Sequence, residues 1–307
     1  MMRFASFSAT FFFLTFATVY YFLLSPQFAE RVGFPSWQTE VSAPPVEITK
    51  VTPSIIQPVA KPAIEIEIPK VEFDVERLTG TPQTSENDTS YAEPVGQYLT
   101  RELRHGFANR TYHTYLGQGV DSQTPRQTIV LLHEHGRTGA SLVDMWKETA
   151  DLYGLYLIAP DSIRNDKWSI LANSRDFFQA LIDHAEDGVA IDRDHLYLFG
   201  HASGSMLATQ ILAKQTLPFR AVATHAGFEN ANTLRMAEQG LPKRIPISFY
   251  LGDNDDASKI DIAKATAVEF TKTGHDVNLY VIPNHSHWYY SIGPELNKLI
   301  WADLSRK

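Results

Sequence analysis

Residues 196–210, LYLFGHASGSMLATQ, run from an apolar strand-like stretch through Gly200-His201-Ala202-Ser203-Gly204 into a segment with helical spacing. A glycine on each side of a strand-to-helix turn lets the two backbones approach closely, which side chains at those positions would prevent. The glycines place Ala202 at the apex. Moving the frame by one to centre Ser203 puts His201 and Ser205 where glycines are needed, so that frame fails.

Outward from this turn the chain repeats the same grammar. Short β-branched or aromatic runs, TYHTYL from Thr111, TIVLLHE from Thr128, LYLIAP from Leu155, HLYLFGH from His195, RAVATHA from Arg220, ISFYLG from Ile247 and VNLYVIP from Val277, read as strands. Between them Ser141 to Leu152, Ser174 to Glu186, Ser203 to Lys214, Ser258 to Thr273 and Pro294 to Leu304 carry apolar residues at helical spacing, several opening with serine, a preferred N-cap. Strands alternating with helices predict an α/β fold, a mostly parallel central sheet flanked by helices, with chemistry beyond the carboxyl ends of the strands.

This pattern occupies residues 97–307. Before it, Phe4 to Leu24 has no charged residue and is long enough to span a bilayer, and Arg3 on its short side predicts that everything after Leu24 lies outside. Residues 1–24 are therefore expected to be a signal anchor, with cleavage and secretion as the alternative; both export the domain to a periplasmic or extracellular location. Residues 25–96, punctuated by Pro44, Pro45, Pro53, Pro58, Pro62 and Pro69, read as an extended linker. IEIEIPKVEF within it alternates like a strand. The 307 residues carry a net charge of −8 and no cysteine. The charge argues against nucleic acid as a partner, and the lack of thiols removes disulfides, thiolate metal sites and a cysteine nucleophile.

Two further strand ends bear on the turn at Ala202. ISFYLGDNDDA ends in Gly252-Asp253-Asn254-Asp255, and VNLYVIPNHSHWYY carries His285 and His287. A nucleophile turn of the form Gly-x-Ser-x-Gly, then an acid, then a histidine, each closing a successive strand, is the order of the α/β hydrolases. A third landmark, TIVLLHEHGRTGASLVDMWKETA, is similar to the segment that donates a backbone N–H to their oxyanion hole. On these motifs, and on Ala159-Pro160-Asp161, Trp168 and the run from Ser174 to Leu181, the chain from about Arg110 to Lys307 resembles the polyhydroxybutyrate depolymerase, feruloyl esterase and related carboxylesterase group.

The resemblance implies roles. Asp255 is the orienting acid, His287 the general base, with His285 as the fallback; the backbone N–H groups of His135 and Ser203 form the oxyanion hole. Glu134, Arg137, His201, Trp168 and Trp288 are expected to contact substrate, and no cofactor is implied. Two departures fall at the chemistry. Ala202 stands at the nucleophile position without an oxygen, and Glu134 replaces a glycine, placing a carboxylate where negative charge must be stabilised. Loss of the nucleophile leaves such enzymes about 10³–10⁴-fold over water. The expectation is an impaired serine esterase; the alternatives are a membrane-tethered protein that binds a small-molecule or polymeric ester, or a hydrolase using Ser203, which otherwise caps its helix, or an activated water. An engineered Ser-to-Ala change explains Ala202 but leaves Glu134 unexplained. No metal site is expected, because neither HExxH nor another zinc spacing occurs among His133, His135, His201, His285, His287 and Asp255.

Overall fold

A computed structural model describes residues 72–80, 90–93, 96–163, 168–214, 218–229, 231 and 244–307. All of them belong to a compact unit, Ile66–Lys307; a second unit, Met1–Glu65, lies outside the described residues. The expected anchor, Phe4 to Leu24, and most of IEIEIPKVEF lie outside them too. No helix among the described residues is long and apolar enough to cross a membrane.

Nine strands, β1 (Glu76–Arg77), β2 (Leu99–His105), β3 (Ala108–Leu116), β4 (Arg126–Leu132), β5 (Tyr156–Pro160), β6 (Ile191–His201), β7 (Ala221–His225), β8 (Ile247–Gly252) and β9 (Val277–Ile282), form one sheet among the described residues. Their order is β1-β9-β8-β7-β6-β4-β5-β3-β2. Every pair from β1 to β5 across that order is parallel, while β3 is antiparallel to both β5 and β2. The five expected helices are present as α1 (Gly139–Tyr153), α2 (Arg175–Glu186), α3 (Ser203–Leu212), α4 (Ile260–Lys272) and α5 (Gly293–Leu304).

The two-residue period of the strands divides the core in two. Val130 and Leu132 of β4 and Leu196 and Leu198 of β6 pack in one cluster with Phe177 and Phe178 of α2 and Leu207 of α3. Their neighbours Ile129, Leu131, Tyr197 and Phe199 point to the other face and pack with Trp146 of α1 and Ile300 of α5. Each fully buried side chain of this size contributes about 1.5–3 kcal/mol from apolar burial, so the sheet is a rigid platform for the loops at its edge.

Three features differ from the sequence expectations. The strand β2 has only Leu103 buried and carries polar residues on both faces, so hydrophobic periodicity gave no signal for it. Within the segment read as linker, Glu76 and Arg77 pair with Tyr280 and Val281 of β9, and Arg77 meets Asp253 at 3.0 Å. The opening serines make no side-chain cap bonds: Ser174 occupies an N-cap without such a bond, and Ser141 and Ser258 donate instead to the carbonyls of Thr138 and Ala226. The amide end of α1 is satisfied by acids from elsewhere, Glu93 accepting from the Thr138 N–H at 3.0 Å and Asp161 from the Gly139 N–H at 2.7 Å. Those carboxylates also suit the positive end of the helix dipole.

Candidate active site

At the end of β6 the backbone of Ala202 adopts φ 47°, ψ −111°, a region that residues with a side chain rarely occupy. Holding it there costs about 1–3 kcal/mol, and the surroundings impose it. The Ala202 N–H donates to the His225 carbonyl at 2.9 Å, and Ser205 Oγ lies 2.6 Å from the Gly200 carbonyl and 3.0 Å from that of His225. A Cβ on Gly204 would lie 2.0 Å from the Leu132 carbonyl oxygen, which is why that glycine is required. The apex thus has the strained geometry of a nucleophile turn and presents a methyl group.

Serine 203 is the first residue of α3 and Ala202 is the N-cap, so Ser203 does not cap the helix; its Oγ is buried without a hydrogen-bond partner. Its amide is one of the four at a helix start that the helix itself cannot satisfy. His135, the other expected oxyanion donor, sits on the exposed loop between β4 and α1.

The expected acid and the expected base meet. His287 Nδ1 lies 2.9 Å from Asp255 Oδ2, while Asp255 Oδ1 accepts the N–H groups of Ala257 and Ser258 at 2.8 Å and 2.9 Å. Burial alone would raise the Asp255 carboxyl, but the bond from His287 and those amides hold it below its ordinary range. The same bond holds the His287 imidazole above its ordinary value, against the effect of burial.

The loop after β4 is pinned from inside. His133 Nε2 accepts the Ser162 N–H at 3.0 Å, so its hydrogen is on Nδ1, which lies 2.6 Å from the Glu134 carbonyl. Trp168, expected at the substrate, donates its indole N–H to the His133 carbonyl at 2.7 Å and so braces this loop. The half-buried Glu134 carboxylate approaches His201 Nε2 at 3.6 Å and Arg137 Nε at 3.8 Å. Burial raises the Glu134 carboxyl above its usual range, although Tyr290, Arg137 and His287 oppose the rise. Arg137 lies over the rings of Tyr91, Tyr290 and Trp288, with Tyr91 stacked on Tyr290 at 4.2 Å between centroids.

Beneath this lies a chain of imidazoles. His201 Nδ1 lies 3.3 Å from the His225 carbonyl and 3.1 Å from His225 Nδ1, and His225 Nε2 lies 3.1 Å from His285 Nε2. With its hydrogen on Nδ1, donated to the His225 carbonyl, His201 presents a lone pair at Nε2. Burial drives His201 down to about 3 and His285 to about 4, and takes His225 well below its ordinary value. His201, expected to contact substrate, is 1% exposed and reaches the site only toward Glu134; the fallback base His285 is bonded to His225.

The sequence reading missed His225, Tyr91 and Tyr290. For His225 the sequence offered only a histidine at the end of the RAVATH strand; the β6–β7 register sets it beside His201. Missed as well is the part of Glu134, which joins His201 and His287 with ligand atoms within 4.8 Å of one another. Two clefts, of about 1000 Å³ beside β1 and β9 and about 500 Å³ between Tyr98 and Val189, lie away from these residues.

A family model described as Phospholipase/Carboxylesterase matches residues 153–294, a span holding the Ala202 turn, Asp255 and His287. No curated protein matches the sequence. Among solved structures the chain is similar to a thermostable esterase (TM-score 0.51, 15% identity, 68% of this chain and 63% of that one). It is also similar to a ferulic acid esterase (0.55, 13%, 68% and 97%) and to an S-formylglutathione hydrolase from Staphylococcus aureus (0.54, 12%, 70% and 99%). The chain thus spans less than two thirds of the thermostable esterase and nearly all of the other two. At such identities these structures show an α/β-hydrolase fold alone, and the family model, which matches less than half of the chain, makes the domain similar to the phospholipase/carboxylesterase group.

Proposed function

We propose that the domain binds a carboxylic ester, small or polymeric, over the Ala202 turn and does not turn it over as a serine esterase. The observation that carries this reading is the apex itself: Ala202 has the strained backbone of a nucleophile turn and no oxygen to attack an acyl carbon. In a serine enzyme of this design His287 would take the hydroxyl proton, Asp255 would fix the imidazole, and the amides of His135 and Ser203 would hold the oxyanion. Here the base and acid remain, and the acyl-enzyme has nothing to form on. Arg137 among Tyr91, Tyr290 and Trp288 offers an aromatic and cationic wall suited to an acyl or phenolic group.

A second reading is favoured by the intact His287–Asp255 pair, which ester binding alone does not need. His287 takes a proton from a water, whose oxygen bonds to the acyl carbon as the alcohol leaves with that proton. Use of Ser203 instead would require its buried Oγ to leave its pocket. The domain is held at a membrane surface by Phe4 to Leu24, with resistance of the full chain to alkaline carbonate extraction as the check.

The test is hydrolysis of para-nitrophenyl acetate and butyrate by the full chain. Near-background turnover is expected, rising about 10²–10³-fold in Ala202→Ser as the nucleophile returns. Appreciable turnover lost in His287→Ala but kept in Ser203→Ala replaces the binding reading with the water. Turnover lost in Ser203→Ala overturns both in favour of a displaced nucleophile.

A further inference from the structure

We infer that Glu134, His201 and His287 form a binding site for a divalent transition-metal ion at the Ala202 turn, a site that stands whether or not an ester is the ligand. Three observations carry it. First, the donor atoms converge from three separate strand ends: Glu134 follows β4, His201 ends β6 and His287 follows β9, and their ligand atoms lie within 4.8 Å of one another. Ligands on one tetrahedral zinc ion are about 3.4 Å apart, from bond lengths near 2.1 Å. The 3.6 Å between Glu134 Oε2 and His201 Nε2 already meets that spacing.

Second, both imidazoles have the outer partners that metal-binding histidines have. A ligating histidine donates its other ring N–H to a carboxylate or carbonyl, which fixes the tautomer and turns the lone pair toward the ion. His287 does so at Nδ1 to Asp255 at 2.9 Å, and His201 at Nδ1 to the His225 carbonyl at 3.3 Å. With the hydrogen on Nδ1, each neutral imidazole presents a lone pair at Nε2.

Third, His201 Nε2 and Glu134 Oε2 stand 3.6 Å apart, beyond direct hydrogen-bond reach, with His201 1% exposed. Buried polar atoms need a complementary partner, and a cation between the two supplies it. Arg137 does not fill that role, because it approaches the other carboxylate oxygen, Oε1, at 3.8 Å and is held against the Tyr91 and Tyr290 rings.

Two imidazoles and one carboxylate suit zinc or another first-row divalent ion and do not suit calcium or magnesium, which select oxygen ligands. Three protein ligands leave a coordination position open for water or for a ligand oxygen. The departure at residue 134 acquires a purpose in this arrangement, since glycine there would remove the only anionic ligand.

The test is titration of the EDTA-stripped, untagged full chain with cobalt(II) chloride, followed by visible ligand-field absorption, and with zinc chloride by calorimetry. One equivalent is expected, with a concentration-dependent rise in melting temperature. Glu134→Gln and His287→Ala should each weaken binding at least tenfold, and Asp255→Asn should weaken it about 10–100-fold by releasing the outer partner of His287. The surface change His195→Ala should leave it unaltered. Should Glu134→Gln not fold, as judged by circular dichroism, His287→Ala carries the test. Absence of saturable binding, or equal affinity in folded Glu134→Gln and His287→Ala, overturns the inference, and neither result bears on ester binding.

Discussion

The imidazole of His287 and the carboxylate of Asp255 meet at 2.9 Å through Nδ1 and Oδ2, although 32 residues separate them in the chain. Their mutual effect has opposite signs: Asp255 is held below its ordinary 3.8 and His287 above its ordinary 6.5. A depressed acid stabilises the fold above its unfolded pKa and loses that contribution as pH falls through the folded value. A raised histidine contributes fully below its unfolded pKa and loses it as pH rises through the folded value. The pair therefore stabilises most between 3.8 and 6.5. Urea denaturation of the full chain and of Asp255→Asn across pH should show a stability gap that is widest in this window and narrows on both sides. A gap that does not vary with pH would contradict the pairing.

Ala202→Gly should stabilise the fold, the reverse of the usual effect of glycine. The backbone at φ 47°, ψ −111° is open to glycine and strained for alanine. Relief of about 1–3 kcal/mol of strain exceeds the added unfolded-state entropy of about 0.4–1 kcal/mol, leaving a net gain of about 1 kcal/mol. Denaturant midpoints measure it directly, and a loss of stability would show that the turn is relaxed.

Gly204→Ala separates close packing from helix propensity, because the two act in opposite directions. Gly204 is in the first turn of α3, where alanine would be favoured by up to about 1 kcal/mol. Its added Cβ, however, would sit 2.0 Å from a carbonyl oxygen of β4, a backbone atom that cannot rotate away. Overpacking of this kind costs about 1–3 kcal/mol or more. Destabilisation by at least about 2 kcal/mol is expected in thermal or urea unfolding, and a neutral result would mean that α3 and β4 are not in contact.

The sheet was legible where burial on both faces forces continuous apolar runs, as in Ile129 to Leu132 and Leu196 to Phe199. It was not legible at β2, whose Arg101, Glu102 and Arg104 sit on an edge strand defined by its pairing with β3. At the site, Asp255 and His287 were readable because each follows directly from a strand end, and the structure joins them. His225 was overlooked because its meaning comes from register: only when β6 and β7 lie side by side does His201 face a second imidazole. The grouping of Glu134 with His201 and His287 was hidden for the same reason, since no motif spaces three ligands across three strand ends.

Glu134 should limit whatever esterase activity a serine introduced at residue 202 provides. At about 5 Å and an effective dielectric of about 20, a carboxylate opposes a developing oxyanion by about 3 kcal/mol, equivalent to about a hundredfold in rate. Arg137, 3.8 Å from the carboxylate, offsets part of that. The double variant Glu134→Gly, Ala202→Ser should therefore exceed Ala202→Ser by about ten- to a hundredfold in kcat/KM for para-nitrophenyl acetate. Assays in EDTA keep a metal ion from contributing. The gain should shrink as pH is lowered, because the Glu134 carboxyl is raised from its ordinary 4.5 and loses its charge sooner than an exposed glutamate. If the double variant is no faster than Ala202→Ser, the carboxylate does not face the oxyanion, and the substitution at residue 134 answers to the imidazoles beneath it.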